Sequence, residues 1–120
     1  MQYIFDIDPK PAPRMVRSDK WKKRQVVEDC YSWRNALRLM ANTKGYKLMP
    51  DLDIVFIIPM PESWSEKKKK YNNGMPHQQR SDIDNLCKNV MDTFTDEDGF
   101  VYKLRAVKFW GRKGLIIINE

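Results

Sequence analysis

Residues 52–59 constrain this chain more than any other stretch. In an extended strand Leu52, Ile54, Phe56 and Ile58 line one face while Val55 and Ile57 line the other. Both faces then call for cover, as on an interior strand of a layered sheet. The rest of the chain supplies the layers. Tyr3, Phe5 and Ile7 alternate with polar positions over residues 2–7, and Pro9, Pro11 and Pro13 close that strand and extend the loop after it. A long helix is expected over residues 21–42, with Val26, Val27, Cys30, Trp33, Leu37 and Met40 as its buried stripe. Ser18 or Asp19 would cap its start, and Gly45 lies just past its end. Residues 61–80 are polar and contain Asn72-Asn73-Gly74, which reads as a loop.

A second helix is expected over residues 84–95, burying Ile83, Leu86, Cys87, Val90, Met91 and Phe94. Two strands follow, over residues 100–110 and 115–119, joined by a hairpin turn at residues 111–114. The order β-α-β-α-β-β describes one α/β domain spanning residues 1–120, with a mixed sheet packed against helices. At 42% hydrophobic residues, the composition is enough for one modest core.

Charge narrows the function. The formal net charge is +6, which favours a polyanionic partner. Residues 10–24 carry Lys10, Arg14, Arg17, Lys20, Lys22, Lys23 and Arg24 against Asp19 alone. Lys103, Arg105, Lys108, Arg112 and Lys113 add a second basic stretch, while residues 82–98 hold six acids and only Lys88. The signs are segregated. Cys30 and Cys87 fall inside apolar helical patterns without metal-type spacing, as small core residues of a reducing compartment do. No apolar run approaches the roughly 18 residues of a membrane span and no signal-peptide core is present, so a cytoplasmic location is expected.

The acidic stretch carries the chemistry. In Arg80-Ser81-Asp82-Ile83-Asp84-Asn85-Leu86-Cys87-Lys88, two carboxylates stand two residues apart where the second helix begins. Close carboxylates repel, and a fold that keeps both ionised usually supplies a cation. Their hard oxygens suit Mg²⁺. A plainer reading makes Asp84 an N-cap and pairs it with Lys88 at i,i+4, worth about 0.3–0.5 kcal/mol. That reading leaves Asp82 unexplained. The turn Asp96-Glu97-Asp98-Gly99 would bring a third carboxylate if its strand lies beside the helix N-terminus, or it is simply a solvated turn. Neither stretch has an EF-hand's spacing. Phosphodiester hydrolysis needs an activated water and stabilised leaving-group charge, which Mg²⁺ and a nearby lysine such as Lys88 can supply.

Basic residues would hold the backbone of a nucleic acid. The cluster at residues 14–24 is the stronger candidate. Lys67, Lys68, Lys69 and Lys70 are either a solubilising run or an arm of phosphate contacts, with Trp64 or Tyr71 able to stack on an unpaired base. Trp64 could equally pin its loop to the body. His77 is the sole histidine and reads as a loop residue; alone it makes no zinc site.

The run from Pro61-Glu62-Ser63-Trp64-Ser65 through the lysines to Asp82-Ile83-Asp84-Asn85-Leu86-Cys87-Lys88-Asn89-Val90-Met91-Asp92 resembles the RusA family of Holliday junction resolvases, found in phages, prophages and bacteria. The D-x-D-N-L-x-K-x-x-x-D pattern is its most specific element. The resemblance covers most of the chain and implies a RusA-like fold, a homodimer, branched DNA as partner, and paired Mg²⁺-dependent nicks at four-way junctions, with Mn²⁺ as a substitute. It makes Asp82 and Asp84 metal-ligating catalytic carboxylates and Lys88 the catalytic lysine. The third ligand falls in Glu97-Asp98, here Asp98, although the connection from the helix is short. Asp92 matches a further family position, structural or catalytic. A basic residue often precedes the first Asp; here that is Arg80, with Ser81 between. The alternatives are a non-catalytic phage DNA-binding protein and a Mg²⁺-dependent nuclease for other branched DNA.

Overall fold

A computed structural model of the chain describes residues 1–13, 24–97 and 99–120. Strand β1 is Gln2–Phe5, helix α1 Gln25–Lys44, strand β2 Asp51–Pro59, helix α2 Glu66–Asn72, helix α3 Ile83–Phe94, strand β3 Lys103–Gly111 and strand β4 Leu115–Asn119. The sheet is four-stranded and mixed, in the order β1-β4-β2-β3, with β2 and β3 parallel and β4 antiparallel to both β1 and β2. This is the α/β domain with a mixed sheet that the pattern implied.

Two elements differ from expectation. The link at residues 111–114 is not a hairpin, because β2 lies between β3 and β4 and pairs with each of them. The apolar strand that needs two neighbours captures both, so the short link passes over its end. There Met60 N–H bonds to the Gly111 carbonyl at 2.9 Å. A Cβ at Gly111 would collide with the Ile57 side chain, so only glycine fits this crossing. The second difference is α2, in the region read as a loop. Ser65 caps it by accepting from Lys68 N–H at 3.2 Å, and four lysines are good helix formers.

The core lies on one face of the sheet. Phe5, Leu52, Ile54, Phe56, Ile116 and Ile118 meet Leu37 and Ala41 of α1 and Leu86, Cys87 and Val90 of α3. In α1 the buried side chains are Val27, Cys30, Leu37 and Ala41, with Trp33 and Met40 packed at the margin. Val26, expected in that stripe, is 43% exposed. Neighbouring helix positions stand about 100° apart, and Val27 takes the inward one. The helix begins with Arg24 in extended conformation, and Gly45 ends it in the left-handed region at φ 69°. Ser18 and Asp19, the expected caps, lie outside the described residues.

Among the described residues, no helix of the core cluster packs on the other face of the sheet. Register aligns Ile4, Ile117, Val55 and Val107 in one row across all four strands, with Leu115, Ile57 and Phe109 in the next. Ile4 is 44% exposed and the others are half-buried. Among the described residues, helical cover on β2 is therefore present on one face, where both were expected to be covered.

Candidate active site

Helix α3 is set by sharp amphipathicity. Leu86, Cys87 and Val90 turn inward, with Asn89 and Thr93 also buried, while Asp84 and Lys88 stay outside. Burial pushes the Cys87 thiol up to about 11, with Asp84 adding to the shift, as befits an inert core thiol. Cys30, also buried, contacts Asn89 Oδ1 through its sulfur at 3.5 Å.

Asp82 occupies the N-cap position, yet its side chain makes no capping bond. The helix is started instead by the Asp82 backbone carbonyl, which accepts from Leu86 N–H at 3.1 Å. Its exposed carboxylate is left without that duty. Asp84 is exposed in the first turn, where Oδ1 accepts from the neighbouring Asn85 N–H at 3.0 Å. Asp84 is thus not the cap. Both carboxylates stand at the helix end whose dipole favours negative charge.

Lys88 does not take Asp84 as its partner. Its Nζ lies 2.9 Å from Asp92 Oδ2, and the same oxygen is 3.6 Å from Arg34. Arg34 comes from α1, where its Nε donates to the fully buried Asn89 Oδ1 at 2.8 Å. Asn89 Nδ2 in turn donates to the Lys10 carbonyl at 2.9 Å. Two residues further along the segment, and one turn back on α3, Ala12 N–H reaches the Asn85 carbonyl at 3.4 Å. Trp33 Nε1 fixes the Asp8 carbonyl at 2.8 Å. The proline-rich segment is so laid across α1 and the first turn of α3.

A cleft of about 350 Å³ opens there, lined by Pro11, Ala12, Arg80, Ser81, Asp82 and Asn85. Its far wall is secured from β3. Lys108 Nζ donates to the carbonyls of Gln79 at 2.8 Å and Ser81 at 2.5 Å. A second cleft of about 280 Å³ holds Lys88, Met91, Asp92, Thr95, Glu97 and Val101, so the turn after α3 borders the lysine. Asp98, the expected third ligand, lies outside the described residues. Among the described residues no group of three His, Cys, Asp or Glu side chains is gathered to hold a metal ion. The donor set of Asp82 and Asp84 nonetheless fits a hard divalent cation: two carboxylates, both exposed, neither consumed by a salt bridge among the described residues.

Of the expected DNA contacts, Arg14, Arg17, Lys20, Lys22 and Lys23 lie outside the described residues. Lys67, Lys68 and Lys70 are exposed on α2 and Lys69 is half-buried; Arg80 is exposed at the cleft. Trp64 pins α2 to the body, its ring 4.8 Å from Trp110, with Lys68 Nζ 4.2 Å above it. Tyr71 is 76% exposed, which leaves its ring open to solvent. His77 lies in a loop, as expected, but is buried against Trp110 at 4.3 Å, with Nδ1 lacking a hydrogen-bond partner among the described residues. The second basic stretch is largely engaged within the fold. Lys113 meets Asp6 at 2.7 Å, Arg112 meets Glu66 at 3.1 Å, and Lys103 meets Asp51 at 3.9 Å.

Sequence reasoning gave no role to Arg34 or Asn89 and read Lys108 only as part of a basic stretch. Asn89 had a signal: it lies three residues after Leu86, on the inward side. The roles of Arg34 and Lys108 depend on contacts from distant elements and left no local trace.

A mixed α/β domain with paired carboxylates beginning a helix, a lysine one turn on and an exposed arginine at the adjoining cleft is compatible with phosphodiester chemistry. The family model for endodeoxyribonuclease RusA matches residues 6–119, nearly the whole chain, and the chain belongs to that family of endodeoxyribonucleases. A search of curated proteins found no match. No helix among the described residues is long and apolar enough to cross a membrane.

Proposed function

We propose that the protein is a structure-selective endonuclease that resolves four-way DNA junctions by paired, Mg²⁺-dependent phosphodiester hydrolysis. The observation that carries this reading is the family membership, joined to an N-cap aspartate whose side chain does no capping. Asp82 and Asp84 would hold the ion, with Asp98 as the third ligand. When bound, Mg²⁺ supplies an activated water and stabilises charge on the leaving oxygen. Lys88 stabilises negative charge on the phosphate in the transition state. Lys67–Lys70, Arg80 and the basic residues 14–23 bind backbone phosphates, which sets register without reading sequence.

A junction has two-fold symmetry, so two matching sites require a C₂ dimer with a self-complementary contact. The rows through Ile117, Val55 and Val107 make the sheet face opposite the core the best support for that contact. Host-cell cytoplasm is the proposed location.

Competition tests the substrate. A labelled four-way junction is expected to resist excess flap, nicked duplex and linear duplex as competitors. Equal displacement by flaps would make the enzyme a general branched-DNA nuclease.

A further inference from the structure

We propose that Asp92 is a positioning residue: clamped by Arg34, it holds the Lys88 ammonium one turn away from Asp84 and so keeps the Asp84 carboxylate open to a divalent cation. The inference rests on reading Asp82 and Asp84 as metal ligands. Lys88 has an acid four residues to either side. In an isolated helix the acid on the N-terminal side is the better partner, because that order agrees with the helix dipole. Lys88 would then choose Asp84. It chooses Asp92 instead, at 2.9 Å.

The reason lies across the helix interface. The Arg34 side chain is only 12% exposed, and its Nε is fixed on Asn89, itself fully buried and tied to the Lys10 carbonyl. The Arg34 Nη2 group stands 3.6 Å from Asp92 Oδ2 and holds that carboxylate beside α1. An acid fixed from behind loses less freedom on pairing with a lysine than the exposed Asp84 would. A lysine on Asp84 would also occupy oxygen needed by a cation. Arg34 and Asp92 thus resolve a competition built into the Asp84, Lys88, Asp92 spacing.

Metal binding reads this without DNA. Mn²⁺ alone is titrated calorimetrically into the full chain, comparing Asp92→Asn in two backgrounds, with Lys88 present and with Lys88→Met. Removing a negative charge weakens a nearby cation site through space in either background. Release of Lys88 onto Asp84 weakens it only where the lysine exists. The expected result is about two- to threefold weaker Mn²⁺ binding beyond the through-space effect when Lys88 is present. Arg34→Gln, which loosens Asp92 without removing its charge, gives the same lysine-dependent loss. Equal weakening by Asp92→Asn in both backgrounds overturns the proposal. Mn²⁺ binding that is absent, or indifferent to Asp82→Asn, overturns the metal-ligand reading and this inference with it.

Discussion

The Lys108 ammonium reaches the main-chain carbonyl of Ser81 at 2.5 Å, one residue before Asp82, and the carbonyl of Gln79 at 2.8 Å. A strand residue thereby fixes the loop that delivers the first carboxylate. Lys108→Met should fold, with a loss of about 1–3 kcal/mol for the charge-assisted bonds. It should also slow junction cleavage on the order of 100-fold, because a small misplacement of a catalytic group costs that much. Single-turnover cleavage at saturating protein checks it; a wild-type rate would remove the link between Lys108 and the site.

Asn89 is the polar centre of the helix pair. It receives Arg34 and Cys30 and donates to Lys10. Asn89→Ala leaves Arg34 and the Lys10 carbonyl short of partners, at a cost of about 1–3 kcal/mol. Thermal unfolding should show that loss, and proteolysis should cut the proline-rich segment sooner than in wild type.

His77 gives the fold an acid-side weakness. Its pKa lies below the ordinary 6.5, first because burial disfavours the cation and then because of the Lys108 charge. The unfolded chain therefore takes up this proton before the folded one does. The contribution is full above pH 6.5 and is lost as pH falls from there through the depressed folded value. Stability of wild type should drop between pH 7 and pH 5, and His77→Phe should flatten that slope. An unchanged slope would mean another group governs it.

Much of this was legible because the signals are local. The α3 stripe and the D-x-D-N-L-x-K run lie within a few turns of one helix, and β2 is marked by apolar residues on both faces. Strand order was not legible. Glycines at 111 and 114 between two strands look like a hairpin, and nothing nearby records that β2 sits between β3 and β4. Helix α2 was masked by its charge: Ser65 followed by Glu66 and a lysine run is a capped helix as well as a polar loop. The partner of Lys88 was hidden for a different reason. Local helix order favours Asp84, and only Arg34 from α1 turns the choice to Asp92.

The lysines of α2 should govern salt dependence. Replacing Lys67, Lys68 and Lys70 with Gln leaves the Ser65 cap and the Trp64–Trp110 contact in place. Each duplex phosphate that is no longer neutralised lowers the slope of log affinity against log salt by about 0.9. Binding to a junction measured across salt concentrations checks this, and an unaltered slope would assign the lysines to solubility.

The sheet face opposite the core should carry the dimer. Val55→Lys places a charge in the middle of the Ile4, Ile117, Val55, Val107 row. Sedimentation should show a monomer that stays folded, binds junctions less well and yields single, unpaired nicks. A dimer that persists would move the contact elsewhere.

Cleavage of a labelled synthetic four-way junction by wild type and Asp82→Asn, with Mg²⁺ or with EDTA, is the decisive experiment. Symmetric paired nicks that need both Mg²⁺ and Asp82 are expected, with junction binding retained or tightened in Asp82→Asn, where a negative charge near phosphate is gone. Nicking that survives Asp82→Asn, or binding by wild type without any nick, would contradict a junction-resolving role for this acidic site.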